Sequence, residues 1–283
     1  MNRVTFPLRI LSLVVISVTV WSIVNVKLAW GTSAQILRVH FLDVGYADAI
    51  FIEFPDQTNM IIDVGDESSG EKVTAYLKKR NITRIDTVLI THPHQNHFGG
   101  LGTLMREIPI GRFFHNGDRH GEEGYPELLE ELNRRRIPIG ILRRGREIDS
   151  LPAAVTMEVL HPADVEDDSN PNVNSVVTYL RYGKTSILLM ADIEEYQQTQ
   201  LMGIYGATLK NAGCVKVPHH GGPLSDSFIY GFSDTTFIIS TGSNPWGLPI
   251  EEDLRRLQGK IYRTDQDGTI VVETDGEGMT ITP

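Results

Sequence analysis

Cysteine is almost absent from this chain: Cys214 is the single one in 283 residues. An internal disulfide is therefore excluded, and the fold must rest on its core and on any metal it binds. Cys214 itself reads as a small buried apolar residue on a strand, not as a nucleophile. Positive charge is also scarce. Lys and Arg number 26 against 36 Asp and Glu, a net charge of −10. That argues against a surface broadly coated by nucleic acid, while leaving room for a local basic track. Internal repeats and low-complexity linkers are lacking. Residues 10–26 form a largely apolar run of seventeen residues without a charge, following Arg3 and Arg9. This length falls between a signal-peptide core and a full membrane span. Thr32-Ser33-Ala34 offers a small-residue cleavage site. Arg3 and Arg9 should stay cytoplasmic, which places everything after residue 35 outside the membrane. The expected organisation is a signal peptide or single anchor over 1–34 and one folded domain over 35–283. With 41% apolar and 22% charged residues, that domain has the composition of an ordinary folded protein.

What the chain does have is histidine in one place. Thr91-His92-Pro93-His94-Gln95-Asn96-His97-Phe98-Gly99-Gly100 carries three of its nine histidines within six residues. The β-branched and apolar residues 85–90 before it predict a buried strand. Leu101, Leu104 and Met105 after it recur at helical spacing. The histidines thus sit on a loop between a strand end and a helix start, where catalytic groups are usually mounted. Neutral imidazole is the commonest protein ligand for zinc and suits other divalent metals. The expected cofactor is one or two divalent ions, zinc first and manganese second.

The remaining pattern alternates strands and helices. Strands are expected at 36–41, 49–54, 59–63, 156–161, 176–182, 185–190 and 214–217, and helices at 71–80, 127–136, 194–205 and 250–258. Asp267-Gly268 predicts a final hairpin between arms at 260–263 and 269–273. Hairpins mixed with covering helices suit two packed sheets with helices outside.

The histidine loop resembles His-x-His-x-Asp-His, the signature of the metallo-β-lactamase superfamily, with Asn96 in the Asp place. Residues 41–49, Phe-Leu-Asp-Val-Gly-Tyr-Ala-Asp-Ala, resemble the FLDVGQGDA opening of the hydrolase domain in the ComEC competence family. Asn174-Ser175-Val176-Val177, Leu188-Leu189-Met190-Ala191-Asp192, Lys216-Val217-Pro218-His219-His220-Gly221 and residues 262–269 resemble its later motifs, in the same order. The resemblance covers roughly residues 36–275. It implies a mixed α/β fold (α+β), the four-layer αββα sandwich, and a metal-dependent hydrolase related to the DNA-uptake machinery. The implied substrate is a phosphodiester such as DNA.

For the site, the resemblance implies that His92 and His94 form the core of a first metal cluster and that His97 belongs to a second. Asp192, directly after an apolar run, would bridge the two; a helix N-cap is the plain alternative. One of His219 and His220 should be a ligand, and the sequence does not say which. Asn174 and His161 compete for the place of a further ligand, Asn174 with substrate contact as a second role. Lys216 is a candidate for neutralising a phosphate oxygen, and Ser225 for touching substrate. Asp43, Asp48 and Asp63 are candidates for orienting ligand histidines. Asn96 is a neutral amide that cannot accept a proton, so the second metal should be the weaker one. Tyr46-Ala47 for Gln-Gly, Ala191 for Gly and Gly222 for Ser are further departures. They leave two rival expectations open: a metal-binding scaffold with a degraded second site, and a hydrolase of small esters or lactams. Six arginines between 134 and 146 form the one local basic patch, with no aromatic residue interleaved.

Overall fold

The computed structural model describes residues 35–118, 121–149, 151–165 and 170–283. The uncharged run at 10–26, the cleavage site at 32–34 and His120 lie outside them. Among the described residues, no helix is long and apolar enough to cross a membrane.

Along the chain come β1 (Leu37–Phe41), β2 (Ala49–Glu53), β3 (Asn59–Val64), helix α1 (Gly70–Lys79) and β4 (Ile85–Ile90). Two short helices, α2 (Gln95–Phe98) and α3 (Leu101–Glu107), lead to β5 (Ile110–His115), α4 (Tyr125–Arg134) and β6 (Ile139–Ile141). The second half holds β7 (Val155–His161), β8 (Val177–Tyr182), β9 (Thr185–Leu189), α5 (Glu195–Leu209) and β10 (Cys214–Lys216). Then follow α6 (Asp226–Ile229), β11 (Thr235–Ile239), α7 (Glu251–Leu254), β12 (Gly259–Arg263) and α8 (Thr264–Asp267), with β13 (Ile270–Thr274) and β14 (Met279–Thr282) at the end.

Two sheets result. One has eight strands in the order β14-β13-β1-β2-β3-β4-β5-β6, the other six in the order β12-β11-β10-β9-β8-β7. Side chains alternate across each strand, and the sequence uses both faces. On β2, Ile50 and Ile52 join the core between the sheets, where they meet Leu180, Ile187 and Leu189 of the second sheet. Ala49 and Phe51 face the other way, toward Val73 and Leu77 of α1 and Leu101 and Leu104 of α3. The outer face of the second sheet is covered by Leu201 and Met202 of α5 and by Phe228 and Ile229 of α6. Helix, sheet, sheet, helix is the expected four-layer order.

The final hairpin is a correction. β12 pairs in parallel with β11 in the six-stranded sheet, whereas β13 pairs with β1 in the other. The Asp267-Gly268 pair therefore closes a crossing between sheets. Asp267 accepts from the Arg263 backbone and Thr264 Oγ1 donates to the Thr241 carbonyl, which curls the chain into α8 instead of a two-residue turn. The true terminal hairpin is β13–β14, turned at Asp275-Gly276, where Gly276 has φ +88. Strands β5, β6, β11 and β14 were not among those expected, and the helix expected over 250–258 is confined to Glu251–Leu254.

Where the strands end matters most for function. β3 and β4 run parallel in one sheet, and β9, β10 and β11 run parallel in the other. Their C-terminal ends meet at one edge of the sandwich, where Asp63, His92, Asp192 and the turn after Lys216 emerge.

A polar node docks α1 away from that edge. Buried His40 bonds Glu53 Oε1 at 2.9 Å through Nε2 and the Tyr76 hydroxyl at 2.9 Å through Nδ1. Arg80 Nε donates to the same Glu53 oxygen at 2.8 Å. The His40 bond and Arg80 hold the Glu53 carboxyl down to about 2. A carboxyl held below its ordinary value stabilises the fold fully above that ordinary value, about 4.3. The contribution is lost as pH falls through about 2. Glu53→Gln is expected to cost about 1–3 kcal/mol at pH 7 and to flatten this stretch of the acid-unfolding profile. Urea unfolding followed by circular dichroism at pH 7 and pH 3 checks both effects.

Candidate metal centre

Three of the loop histidines are placed by backbone geometry. The strand β4 ends at Ile90. Thr91 then donates its N–H to Asp63 Oδ1 and its hydroxyl to Asp63 Oδ2, both at 2.8 Å. This fixes the next residue, His92, whose Nδ1 lies 3.1 Å from the Thr91 hydroxyl and whose Nε2 lies 2.9 Å from His94 Nδ1. One helical turn, α2, brings His97 back over the same point, with its ring 4.1 Å from that of His92. His97 Nδ1 is held by Asp63 Oδ2 at 2.8 Å, and its Nε2 reaches Asp192 Oδ2 at 3.1 Å.

The second sheet contributes the rest. His220 directs Nε2 at the same Asp192 oxygen, at 3.2 Å, and anchors Nδ1 on the Ser240 carbonyl at 2.9 Å. Each of His92, His97 and His220 thus has its Nδ1 engaged and its Nε2 turned inward. That is the arrangement by which outer partners fix the tautomer of a ligand imidazole. His92, His97 and Asp192 bring one donor atom each within 4.8 Å of one another, as do Asp48, Asp192 and His220.

The backbone is strained to do this. Asp63, Ala191, His219 and His220 all adopt positive φ, at 56, 46, 50 and 55°. That conformation costs an ordinary L-residue about 1–2 kcal/mol, and such strain clusters at functional sites. Its effect after β10 is to split the histidine pair. His220 is fully buried against Asp192, while His219 is partly exposed, 3.6 Å from Glu194 and 3.4 Å from Asn172 Nδ2.

Charge decides what the cluster can hold. Lys216 is fully buried on the central strand β10. Its ammonium donates to the Ala191 carbonyl at 3.0 Å and to Asp192 Oδ1 at 3.3 Å, and pairs with Asp48. Asp48, Asp63 and Asp192 are all buried. Three carboxylates against one ammonium leave two negative charges once the histidines are neutral, the charge of one divalent cation. Burial works against ionising Asp192, but His220, His97 and Lys216 hold its carboxyl well below the usual range. Burial also opposes a proton on His97, yet Asp192 and Asp63 push its imidazolium up to about 10. His92 is driven the other way, by burial and by the His97 charge, and stays neutral. An anionic, nitrogen-rich pocket fits a divalent metal, and a metal and the His97 proton compete for the same charge.

The remaining candidates fall outside this ring or behind it. Asp43 sits in the turn after β1, where Oδ1 accepts from Gly45 N at 3.4 Å, and among the described residues it bonds no histidine. Asn174 is buried, its carbonyl accepting from Asn116 Nδ2. His161 Nδ1 bonds the Ser175 carbonyl at 2.9 Å, and neither residue belongs to the ligand clusters found among the described residues. Ser225 is not brought to the centre. It caps α6, accepting from Phe228 N at 3.2 Å, and lines a separate cleft with Tyr196, Asp226 and Arg256. Lys216 faces carboxylates and not solvent. Asn172, two residues before the candidate Asn174, lines the cleft over the centre and was not among the expected site residues. Four of the six arginines in the basic patch have partners: Arg134 and Arg135 pair with Glu131, Arg143 with Asp164, and Arg144 with the Leu160 carbonyl.

A model of the metallo-beta-lactamase superfamily matches residues 42–225, nearly two thirds of the chain. The chain belongs to that superfamily. Among curated relatives, ComE operon protein 3 of Bacillus subtilis (strain 168) is 28% identical over 256 residues, 82% of this chain and 32% of that protein. The chain therefore spans about a third of the length of the curated relative it matches. Unliganded yeast PDE1 superposes with a TM-score of 0.54 at 13% identity, over 81% of this chain and 98% of that one. At such identity the likeness is one of fold. In the superfamily pattern Asn96 takes the Asp position, and here its Nδ2 lies 2.9 Å from His220 Nε2.

Three variants separate ligand from support. Asp63→Asn keeps the shape but weakens the grip on His97, and is expected to lower metal affinity by about 10- to 100-fold. Asp192→Asn, or His92→Ala with His94→Ala, is expected to lower it further while circular dichroism stays close to wild type. Competition against a chromophoric chelator measures both. Wild-type affinity in Asp192→Asn would show that the centre lies elsewhere.

Proposed function

We propose that the chain is a metal-dependent phosphodiester hydrolase working outside the cytoplasmic membrane. One observation carries the reading: the buried Asp192 carboxylate is aimed at from two sides by His97 and His220 through one oxygen. His92, His94 and Asp192 would hold a first divalent ion, and His97, His220 and Asp192 a second. A bound divalent ion supplies Lewis acidity toward a phosphoryl oxygen and activates water at neutral pH. The chain's own residues do the positioning. Lys216 and the Ala191 carbonyl keep Asp192 from turning. Asp63 and Ser240 keep His97 and His220 pointing inward. His219 and Asn172, which line the cleft over the centre, would bond the oxygens of an entering phosphodiester. Water adds across one P–O bond, leaving a phosphate monoester and an alcohol. The resemblance to the ComEC family makes DNA the first substrate to test.

Asn96 favours a second reading, a metal-binding protein of little catalytic power. The amide offers one neutral oxygen, after a flip, where the superfamily places an anion. The first ion should bind normally and the second weakly. Asn96→Asp is nearly isosteric and is expected to tighten the second ion and raise turnover, by roughly the 10- to 100-fold that changes around a metal are worth. Zinc and manganese titrations that follow a generic phosphodiester in both proteins check this. Equal second-site affinity would remove Asn96 from the ligand set, and lower activity in the Asp variant would mean that the site is tuned to the amide and that the family mechanism does not carry over.

Location rests on Arg3, Arg9 and the uncharged residues 10–26. Protease added to intact spheroplasts is expected to digest an anchored form, or the soluble exported fraction to contain a cleaved one. Complete protection inside the cell contradicts an extracytoplasmic enzyme.

A further inference from the structure

Over the metal centre lies an open cleft of about 850 Å³, lined by His94, Asn96, Asp192 and His219 on its floor and by Tyr46 and Trp246 on one wall. The wall is a staircase of rings. Buried His220 packs against Tyr46, with centroids 4.4 Å apart, and Tyr46 packs against Trp246 at 4.7 Å and 31°. The last step is open to solvent: Trp246 is 66% exposed. Packing does not explain a tryptophan there, because a ring so exposed covers little of the core.

Its backbone, by contrast, is held tightly. Asn244 Oδ1 accepts from the N–H of Trp246 and of Leu248, both at 3.1 Å. Asn244 Nδ2 donates to the carbonyls of Gly242, at 2.8 Å, and Leu248, at 2.6 Å. One amide thus closes the whole turn. The turn is also pressed onto the Tyr46 loop at Gly242, where a Cβ would stand 2.6 Å from Gly45 Cα. An exposed aromatic on a loop that is already ordered loses little conformational freedom when a ligand covers it.

We propose that Trp246, stepped on Tyr46, is a stacking platform for the base adjoining the scissile phosphodiester, so that the substrate is a nucleotide-bearing ester. This rests on the hydrolase reading given above. The staircase leads from a ring that touches Asp192 to the mouth of the cleft, so a group one sugar away from a phosphate at the centre falls on it. A planar base fits such a wall because every base has a face to stack. Charge limits the length. Among the described residues no lysine or arginine lines the cleft, whereas Asp66 and Glu122 do. A run of further phosphates would meet the carboxylates of Asp66 and Glu122 there, which favours a short nucleotide or a strand end over the interior of a duplex.

The test uses the full chain loaded with manganese. Its substrates are thymidylyl-thymidine, two abasic versions each lacking one base, and glycerophosphocholine. Wild type is expected to prefer the base-bearing ester, chiefly through KM. Trp246→Ala is expected to shrink that preference by about 10-fold, as stacking lost to alanine does elsewhere, and Trp246→Phe to keep most of it. An undiminished preference in Trp246→Ala overturns the proposal. So does a Trp246-dependent preference for glycerophosphocholine over the dinucleotide, which would make the wall a site for a cation. If the loaded protein cleaves none of these esters, the hydrolase reading fails and the platform is judged by binding. Indole emission should then be quenched by thymidylyl-thymidine and not by the ester lacking the stacked base, and the quench should vanish in Trp246→Phe. Absence of that quench in wild type overturns the platform on its own.

Discussion

Burying the Asp192 carboxylate is the constraint on which the rest of this molecule depends. A lone carboxylate inside a protein is costly by several kcal/mol, so the surroundings must answer its charge. Lys216 does so from the central strand, at 3.3 Å, and His97 and His220 do so from opposite sheets. The lysine in turn needs Asp48, and His97 needs Asp63. Each partner draws a further element to the same edge of the sandwich: the turn before β2, the end of β3, the loop after β4 and the turn after β10. The positive φ at Asp63, Ala191, His219 and His220 is the strain accepted to make those elements meet.

The same charge balance explains how the site can serve a metal without being built only for one. Without an ion, a proton on His97 supplies positive charge next to Asp192. A divalent ion would take the place of that proton, and the His97 imidazole would then serve as a donor to it. The superfamily's aspartate would add one more anion to this set, and Asn96 leaves it out. The expected outcome is a first ion held by a balanced set of charges and a second ion held by less.

Much of this was legible in the sequence because the chemistry is local there. Three histidines in six residues after an apolar strand, and an aspartate directly after another, mark chain segments that end at one place. The strand at residues 49–54 was legible for the same reason. What was not legible depends on contacts between distant segments. Nothing in Lys216-Val217-Pro218 says that the lysine points inward, because the carboxylate opposite it lies more than 160 residues earlier. The choice between His219 and His220 is made by two left-handed residues, which a pair of non-glycine residues does not announce. Asp267-Gly268 has the composition of a hairpin turn, yet Thr264 and Asp267 bond elsewhere and send the chain across to the other sheet. β5 was missed because Gly111 and Arg112 interrupt its apolar residues. Trp246 sits in a loop whose role appears only once Tyr46 is folded beside it.

The central claim is that the carboxylate of Asp192 is a metal ligand shared by two histidine sets of unequal strength. Anomalous diffraction from crystals grown with zinc tests it most directly. The account predicts one full-strength peak among His92, His94 and Asp192, and a weaker one among His97, His220 and Asp192 that fills as zinc is raised. No peak within bonding distance of Asp192 at any zinc concentration would contradict it.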